Sequence, residues 1–371
     1  MLYILLSYLF SPFIYLIIAL KKNKPVNRIL IIQTAKIGDL ICSTPVFREV
    51  KKKYPHSRLT VIIDPVTKAL LEHNPHVNEI VTMKKSDYNG FAGKAKLSNL
   101  IRKGRYDISI SLNPNVPYAI SLFWGLVPVR LSVMPDFSGM TFKLASVFFT
   151  SLEKHVRGNQ TIETYMKMFE PISIKSNDIS KEVYRSEGSG EKVQQILGSI
   201  EKPLIGIGVS SGNKMKELGE KKIVGLVDKL MEVIDACVVL IGSGQDINTA
   251  DNISASVKKT ERIINAAGRL SLAELPALIE RLSLFIGVDS GITYMADSLS
   301  IPLINIAGPA DMQDQRPVGN NSIILQEKLE CVPCSHTFRA PYECQRGDRA
   351  CIESVSIEEI YSVAMKMISR I

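Results

Sequence analysis

One stretch near the C-terminus restricts the fold strongly, because its pattern is strand, turn, helix and strand in succession. The apolar run Leu284–Val288 predicts a buried parallel strand, residues 292–296 a helix, and residues 301–306 the next strand. The turn between the first strand and the helix is Asp289-Ser290-Gly291. Free backbone N–H groups at such a helix start attract phosphate. The turn is therefore a candidate site for a nucleotide-linked ligand, with simple helix capping as the alternative.

Apolar runs of strand length alternate with helical patterns on both sides of a polar stretch in mid-chain. Such alternation predicts an α/β fold of parallel sheets covered by helices. Hydrophobic periodicity weakens between residues 172 and 202, which indicates a domain boundary. We expect two Rossmann-like domains, residues 26–185 and 186–355, with an apolar helix within residues 1–25 and a helix at 356–371. The expected strands are residues 29–34, 59–63, 106–112, 203–209 and 236–241, and the expected helices include 223–233 and 272–282.

The first twenty residues form a separate feature. Residues 2–20 carry no charge and are dominated by Leu, Ile, Tyr and Phe, and four Lys and Arg follow within residues 21–28. At ~1.5 Å per residue the run just reaches the ~30 Å hydrocarbon thickness of a bilayer. It predicts a membrane anchor, either a span or an interfacial helix, since Pro12 and the tyrosines lie within it. A buried helix is the alternative. The basic flank would place the rest of the chain on the cytoplasmic face of the membrane.

Composition and charge limit the classes of partner. The chain is 46% hydrophobic and 22% charged, which excludes a disordered protein. The net charge of +8 is concentrated early, with ten Lys and Arg against two acidic residues between positions 21 and 60. This excess suits an anionic lipid surface or an acidic glycolipid, unless it is only a solvated helix face. Nucleic acid is not expected as a partner, because no nucleic-acid-binding motif accompanies the charge.

A second strand-turn-helix pattern begins with residues 29–34 and the glycine turn at 35–39. Its helix runs to about Lys53, and Pro45 leaves the helix start undecided. This opening, with Ile37-Gly38-Asp39 and Ser43-Thr44-Pro45, resembles that of the ADP-heptose:lipopolysaccharide heptosyltransferase family, glycosyltransferase family 9. The Asp289 turn, with Phe285 and Pro302 in register and residues 308–311 behind, resembles the C-terminal motif of the same family.

The resemblance covers roughly residues 28–356 and is poor between 90 and 200, where we expect the acceptor surface. It implies two domains facing a cleft, the GT-B arrangement. It also implies transfer of a heptose or related sugar from an ADP-sugar. We expect this transfer to be metal-independent and, because a deprotonated acceptor hydroxyl would displace the diphosphate directly, to invert the anomeric centre. The implied acceptor is a glycolipid or core oligosaccharide of the lipopolysaccharide type at the inner-membrane surface. No cofactor is expected for catalysis, and the sequence has no Asp-x-Asp pair to hold a catalytic metal.

Residues on the acceptor side take roles from the family. Asp39 occupies the position of the catalytic base, which removes a proton from the attacking hydroxyl. Lys36 and Gly38 belong to the turn that would let Asp39 project towards the acceptor. Helix capping is the alternative for Asp39.

Donor-side roles fall on two segments. Asp289 would hold donor hydroxyls, with Ser290 and Gly291 at the helix start. Tyr294 stands where the family commonly has His, which leaves the identity of the sugar open. The second segment, residues 210–216, follows a predicted strand, where open α/β sheets bind ligands. Within it Ser211 and Lys216 are expected to contact the donor phosphates.

The lysine assignment is not unique from the sequence. Lys216 is placed by counting back from the helix at residue 223, and Lys214 competes with it. Leu218 and Gly219 stand where the family usually has Trp-Pro. These departures keep a non-catalytic nucleotide-sugar-binding relative as an alternative. A nicotinamide oxidoreductase is another, because Gly206, Gly208 and Gly212 form a loose dinucleotide fingerprint. That fingerprint lacks an acidic residue after the next strand.

Four cysteines cluster near the C-terminus: Cys331, Cys334, Cys344 and Cys351. Four thiols suit a structural zinc ion, although the second pair lacks the close spacing of zinc ribbons. A thiol cluster without metal is the alternative, and a cytoplasmic location argues against disulfides. We expect Cys42 and Cys237 to be buried as small apolar residues.

Overall fold

The computed structural model describes residues 2–20 and 25–369, and the chain divides into two compact units. Unit 1 comprises the chain up to Lys36 together with Ser43–Ile179. Unit 2 comprises Ile37–Cys42 and everything from Ser180 onwards. The change of unit after Ile179 comes a few residues before the boundary expected after residue 185. The apolar N-terminal helix belongs to unit 1 and is not a separate segment, and the short segment Ile37–Cys42 belongs to unit 2.

Helices and strands alternate through both units. Up to residue 179 the elements are α1 (Leu2–Ala19), β1 (Arg28–Gln33), α2 (Ile37–Cys42), α3 (Thr44–Lys53), β2 (Arg58–Ile63), β3 (Glu79–Thr82), α4 (Gly90–Gly104), β4 (Ile108–Ser111), α5 (Val116–Trp124), β5 (Val129–Pro135), α6 (Met140–Ser146), β6 (Ser151–His155) and α7 (Thr161–Lys167). Beyond it they are α8 (Ser189–Leu197), β7 (Leu204–Gly208), α9 (Glu220–Val233), β8 (Cys237–Ile241), α10 (Ile247–Ser256), β9 (Ile263–Asn265), α11 (Leu275–Ile279), β10 (Leu284–Val288), α12 (Gly291–Ser298), β11 (Leu303–Ile306), β12 (Ser322–Leu325), α13 (Ala350–Glu353) and α14 (Ile357–Ile368).

Each unit is built on a six-stranded parallel sheet. The strand order is β3-β2-β1-β4-β5-β6 in unit 1 and β12-β11-β10-β7-β8-β9 in unit 2. Counted from the first strand of each sheet, both orders are 3-2-1-4-5-6, the Rossmann order. Central strands such as β8 and β10 are buried along their whole length, which explains their continuous apolar sequences. The predicted α/β fold with two Rossmann-like sheets is confirmed.

Several element boundaries differ from the sequence predictions. The helix expected to follow β1 is interrupted at Ser43, so α2 and α3 are separate and Pro45 lies in the first turn of α3. Proline is tolerated there because the first N–H groups of a helix have no partner inside it. The helix expected at residues 272–282 is only Leu275–Ile279, and the strand expected at 106–112 is only Ile108–Ser111.

The last expected helix also differs in its bounds. Of residues 356–371, the stretch Ile357–Ile368 forms α14, and residues 370–371 lie outside the described residues. Ser356 caps α14, since its side chain accepts a hydrogen bond from the backbone N–H of Glu359. Cys42 and Cys237 are both buried, as predicted.

Candidate functional site

The point where strand order reverses in the sheet of unit 2 lies between β7 and β10. In an open parallel sheet, ligands bind outside the carboxyl ends of the strands at such a point. β10 ends at Val288, directly before Asp289, and β7 ends at Gly208, shortly before Ser211. The two predicted donor segments, 73 residues apart at Lys216 and Asp289, therefore meet at one edge of the sheet.

Asp289 is the centre of a buried hydrogen-bonded network. One carboxylate oxygen, Oδ2, accepts a charge-assisted bond from Lys216 Nζ. The other, Oδ1, accepts from the Tyr294 hydroxyl at 2.5 Å, and that hydroxyl also lies 3.2 Å from the backbone oxygen of Gln315. Asp289 is buried, so the attraction of Lys216 is weakly screened by water. The network joins three of the predicted donor-binding residues.

Tyr294 is held in its protonated form. Burial above all, and then the charge of Asp289, raises the pKa of Tyr294 well above its ordinary value. The hydroxyl is therefore a permanent donor at neutral pH and keeps Asp289 in one orientation. The sequence identified Tyr294 as a departure from the family, but its bond to Asp289 became visible only in the structure.

The two competing lysines have different surroundings. The side chain of Lys216 is 14% exposed and faces Asp289, whereas that of Lys214 is 79% exposed and pairs with Glu217 at 2.7 Å. The hydrogen bond with Glu217 raises the pKa of Lys214. Of the two, only Lys216 contacts another predicted donor residue. The geometry therefore favours Lys216 for the phosphate role.

The loop that contains Ser211 is held by its own side chains. The Ser211 backbone N–H donates to Glu217 Oε1 at 3.3 Å, and its hydroxyl accepts from the backbone N–H of Asn213, also at 3.3 Å. Buried Asn213 caps the short 3-10 helix Lys214–Lys216 by accepting from the N–H of Met215. These bonds fix the backbone of the loop that leads to Lys216.

Leu218 and Gly219 have structural roles in this chain. Leu218 is buried in the core of unit 2. Gly219 precedes α9 with a φ of +88°, a left-handed conformation that favours glycine. At the positions that usually hold Trp-Pro in the family, Leu218 thus anchors the loop after Lys216 in the core, and Gly219 lets the chain turn into the start of α9.

The segment Ile37–Cys42 packs on α12 within unit 2. A Cβ added to Gly38 would lie 3.1 Å from the Tyr294 ring, and one added to Gly291 would lie 2.3 Å from Ile37 Cγ2. The two glycines therefore permit the close approach of α2 to α12. Gly38 was predicted to form a turn, but it lies within α2. Gly38 matters because it has no side chain, which leaves room for the ring of Tyr294.

Asp39 lies in the first turn of α2 and is partly exposed. Burial raises the pKa of the neighbouring Cys42 thiol, the charge of Lys181 lowers it, and the charges of Asp39 and Asp289 raise it again. The charges of Asp39 and Asp289 thus both act on the buried thiol of Cys42. Lys36 is exposed and belongs to unit 1, so the predicted group of Lys36, Gly38 and Asp39 is divided between the units.

A buried ion pair behind Tyr294 was not predicted from the sequence. Lys181 Nζ lies 2.7 Å from Asp297 Oδ2 and 5.7 Å from the centre of the Tyr294 ring. Asp297 also accepts from the backbone N–H groups of Val318 and Gly319 at 3.0 and 2.8 Å. The bonds to Asp297 tie α12 to Lys181 and to the loop after β11. An aspartate directly after the apolar residues of the helix predicted at 292–296 was the available signal for it.

Two groups of side chains in unit 2 contain possible metal ligands. Among the described residues, one set of His and carboxylate atoms lies within 4.8 Å of one another: Asp311, Asp314 and His336. His336 Nδ1 is 3.0 Å from Asp311 Oδ2 and 3.6 Å from Asp314 Oδ2. Backbone N–H groups of Gln313 and Thr337 also bond to these carboxylates. Hydrogen bonds of the two carboxylates with His336 and these backbone groups account for the cluster without a metal.

Three of the predicted cysteine ligands, Cys331, Cys334 and Cys344, lie between β12 and α13, Cys351 lies in α13, and all four are free thiols. The charges of Cys331 and Cys344 each raise the pKa of Cys334, after the larger effect of burial, so these sulfurs are neighbours. The backbone N–H of Arg349, aided by two others, lowers the pKa of Cys344. The sulfur atoms do not form a set within 4.8 Å of one another. Their chemistry suits zinc, and a bound ion would require the sulfur atoms to lie closer together than they do here.

The corresponding edge of the sheet in unit 1 is also polar. The backbone N–H of Thr34, after β1, donates to Asn113 Oδ1 at 2.6 Å, and the Thr34 hydroxyl lies 2.7 Å from that of Tyr118. Tyr118 in turn bonds to Tyr88 at 2.9 Å. Burial raises the pKa of Tyr118, so this hydroxyl stays protonated. No sequence pattern identified these residues as part of a site.

Comparison with known proteins gives consistent matches. The chain is similar to lipopolysaccharide heptosyltransferase 3 of Escherichia coli, with 24% identity over 291 residues, covering 77% of this chain and 85% of that protein. The structure of E. coli ADP-heptose lps heptosyltransferase II matches with a TM-score of 0.73 and 18% identity, covering 92% of this chain and 99% of that one. A family 9 glycosyl transferase from Veillonella parvula matches with a TM-score of 0.74 and 22% identity, covering 93% and 98%. At these identities the two structures establish the fold.

The family follows from the sequence match. The sequence profile of glycosyltransferase family 9 (heptosyltransferase) matches residues 94–341, more than half of the chain. This match leaves no support for the oxidoreductase alternative. A Rossmann-type strand order and a loose glycine pattern are shared by many enzymes, whereas the profile is specific. The chain belongs to glycosyltransferase family 9 and is a glycosyltransferase enzyme.

Proposed function

We propose that this enzyme transfers a heptose or related sugar from an ADP-sugar to a lipopolysaccharide-type or other cell-envelope glycan. Two similar proteins support the proposal. The E. coli relative is a lipopolysaccharide heptosyltransferase, and the E. coli structure is of an ADP-heptose enzyme. The observation in this chain that supports it best is the bonding of Lys216 and Tyr294 to Asp289 at the switch point of the sheet.

Donor binding uses the cation and the carboxylate of this network separately. The ammonium of Lys216 is the partner for the donor diphosphate, assisted by Ser211 and by the positive end of α12 at Ser290 and Gly291. Once Lys216 turns to the phosphates, Asp289 Oδ2 is free to accept hydrogen bonds from donor hydroxyls. Tyr294 keeps its bond to Oδ1 and so preserves the orientation of the carboxylate.

The transfer step needs a base, and Asp39 is the proposed one. Its carboxylate removes the proton from the acceptor hydroxyl while that oxygen attacks the anomeric carbon. The bond from this carbon to the diphosphate oxygen breaks, and ADP departs with the electron pair. Attack on the face opposite the leaving group inverts the anomeric centre. Lys216 neutralises charge that develops on the departing phosphate.

Thermal unfolding in the presence of nucleotide sugars tests the donor class. A ligand that binds only the folded protein raises the midpoint, by an amount that grows with its concentration relative to its Kd. We expect ADP and ADP-sugars to raise the midpoint, and UDP-sugars and NAD to do so less at the same concentration. A larger shift with a uridine or nicotinamide nucleotide would contradict the proposed donor.

Turnover is expected to survive removal of divalent metal. The proposed site neutralises the diphosphate with Lys216 and backbone N–H groups, so chelation should leave the initial rate within about twofold of the untreated enzyme. The measurement is the rate before and after EDTA treatment, with magnesium and manganese added back. Complete loss that either ion restores would contradict metal-independent transfer.

The cysteine group is the proposed site of a structural zinc ion. Cys331, Cys334, Cys344 and Cys351 would provide four thiolate ligands, and zinc would tie the loop after β12 to α13. Elemental analysis of the purified protein should give about one zinc per chain, and Cys344→Ser should lower that content. Unchanged zinc in Cys344→Ser, or no metal in the parent, would exclude the site. Cys237→Ser, at a buried thiol outside the group, is the matched control.

We propose that the enzyme acts at the cytoplasmic face of the inner membrane. The E. coli relative acts on lipopolysaccharide, as its name states, and α1 is the feature of this chain that supports a membrane location. By length and composition α1 is apolar enough to cross a bilayer, with a mean hydropathy of 2.1. Core helices of soluble proteins and signal sequences can have the same length and apolar composition. How α1 meets a membrane depends on its packing.

A further inference from the structure

α1 has two opposite apolar faces, and the described residues cover only one of them. The inner face packs on unit 1 and contributes to its core. Its buried residues are spaced three, four or seven apart, which places them on one side of a helix: Ile4, Ser7, Ile14 and Ile18. The three isoleucines belong to the same core cluster as Phe123.

Polar and aromatic contacts hold the inner face along most of the helix. The indole N–H of Trp124 donates to the Ser7 hydroxyl at 2.8 Å, and the Tyr8 hydroxyl donates to the backbone oxygen of Leu144 at 2.8 Å. Nearer the end of α1, the ring of Tyr15 lies 5.2 Å from that of Phe123. α1 is therefore docked on α5 and α6 from its first turns to its last.

The outer face of α1 consists of large apolar side chains. Six of them are spaced three or four apart and are 60–78% exposed: Leu2, Leu5, Leu9, Phe13, Leu16 and Leu20. Three more exposed apolar residues lie on or next to the helices that adjoin α1: Phe91, Met140 and Val147. A soluble monomer rarely leaves so large a contiguous apolar surface in water. This surface indicates a further binding partner.

The helices that border this surface carry charges of one sign. α4, α5 and α6, which border α1, carry five basic residues and no acidic one: Lys94, Lys96, Arg102, Lys103 and Lys143. All except Lys94 are exposed. An apolar face with a basic border is complementary to a bilayer that contains anionic phospholipid. A second copy of the chain is a poorer partner, because a two-fold contact would bring the two basic borders together.

A cavity of about 330 Å³ opens beside α1 and extends this surface inwards. Its walls are mainly apolar and include Leu6, Phe10 and Trp124, and Arg102 also lines it. The cavity gives an acyl chain space next to the helix, with a guanidinium available for a lipid phosphate.

We propose that unit 1 binds the surface of an anionic phospholipid bilayer through the outer face of α1, with the helix in the membrane plane and still docked on the unit. Crossing the bilayer would require α1 to leave unit 1, exposing the core around Phe123 to water and breaking the Ser7–Trp124 hydrogen bond. An in-plane position covers the outer face and keeps all of these contacts. The inference rests on the proposed membrane location and is independent of the proposed reaction.

Trp124 makes the proposal testable, because it is the only tryptophan of the chain. Its ring contacts Phe10 at 5.9 Å in addition to the bond with Ser7, so its emission reports whether α1 remains docked. The full-length protein is mixed with vesicles of phosphatidylcholine alone or with phosphatidylglycerol. We expect co-sedimentation with the anionic vesicles, no red shift of the emission, and quenching by lipids brominated near the headgroup.

Two variants separate the outer face from the rest of the molecule. Leu9→Glu combined with Phe13→Glu changes two side chains that are each 68% exposed. It should weaken vesicle binding at least tenfold and leave the unfolding midpoint unchanged. Val233→Glu alters a residue that is 62% exposed at the end of α9 in unit 2, and it should bind like the parent.

The other outcomes each contradict the proposal in a different way. Binding accompanied by a red shift of the Trp124 emission would mean that α1 leaves unit 1. That result would support the membrane location and contradict the in-plane arrangement. No binding to either vesicle would overturn both. A dimer that is present without lipid and lost in the double variant would identify a second copy as the partner. None of these results depends on sugar transfer, so failure of the membrane proposal can be distinguished from failure of the proposed transferase activity.

Discussion

Asp39→Asn is expected to lower the transfer rate by about two to four orders of magnitude, the usual contribution of a positioned general base. Asparagine has nearly the same shape as aspartate, but its amide cannot take a proton from the acceptor hydroxyl. The base acts only as the hydroxyl attacks, so the affinity for ADP should stay within about twofold of the parent. The measurements are the single-turnover rate and the Kd for ADP.

The control for this variant is Asp251→Asn, at an exposed position on α10, a helix with no candidate site residue. It should be as active as the parent. Asp39 lies in α2, which packs on α12, so folding must also be checked through the unfolding midpoint. Transfer at the parental rate in a folded Asp39→Asn protein would remove Asp39 from the mechanism.

Lys216→Ala is expected to weaken binding of ADP itself by roughly 10- to 150-fold, corresponding to about 1.5–3 kcal/mol for one hydrogen bond to a charged group. The phosphates are present in the ground state, so the loss appears in the Kd and not only in the rate. The substitution also leaves Asp289 without its cation, although the Tyr294 hydroxyl still bonds to it. Titration calorimetry with ADP measures the effect.

Lys214→Ala is a closely matched control, since it removes the same charge two residues away. Lys214 is mostly exposed and pairs with Glu217, so its loss should change the Kd for ADP less than twofold. The reverse pattern, in which Lys214→Ala binds ADP weakly and Lys216→Ala binds it like the parent, would assign the phosphate role to Lys214. Equal Kd values for both variants and the parent would place the diphosphate elsewhere.

Sequence patterns predicted the fold class because they are local. Runs such as Leu284–Val288 are continuous and apolar, as strands buried on both faces must be, and the structure has a strand with those bounds. Boundaries near prolines were less predictable. Pro45 is compatible with a helix start or with a kink, and packing decides between them. The roles of Asp39, Lys216 and Asp289 came from family resemblance and stay predictions until the variants are measured.

By itself the sequence determined two parallel α/β sheets, the acidic turn at Asp289 and an uncharged N-terminal helix, since each depends on neighbouring residues. Only the tertiary structure decided which lysine faces Asp289, why Gly38 lacks a side chain, and which face of α1 is covered. Those properties depend on contacts between residues far apart in the chain. Lys216 and Lys214 are identical as letters, and only the packing of the loop after β7 against the end of β10 gives them different surroundings.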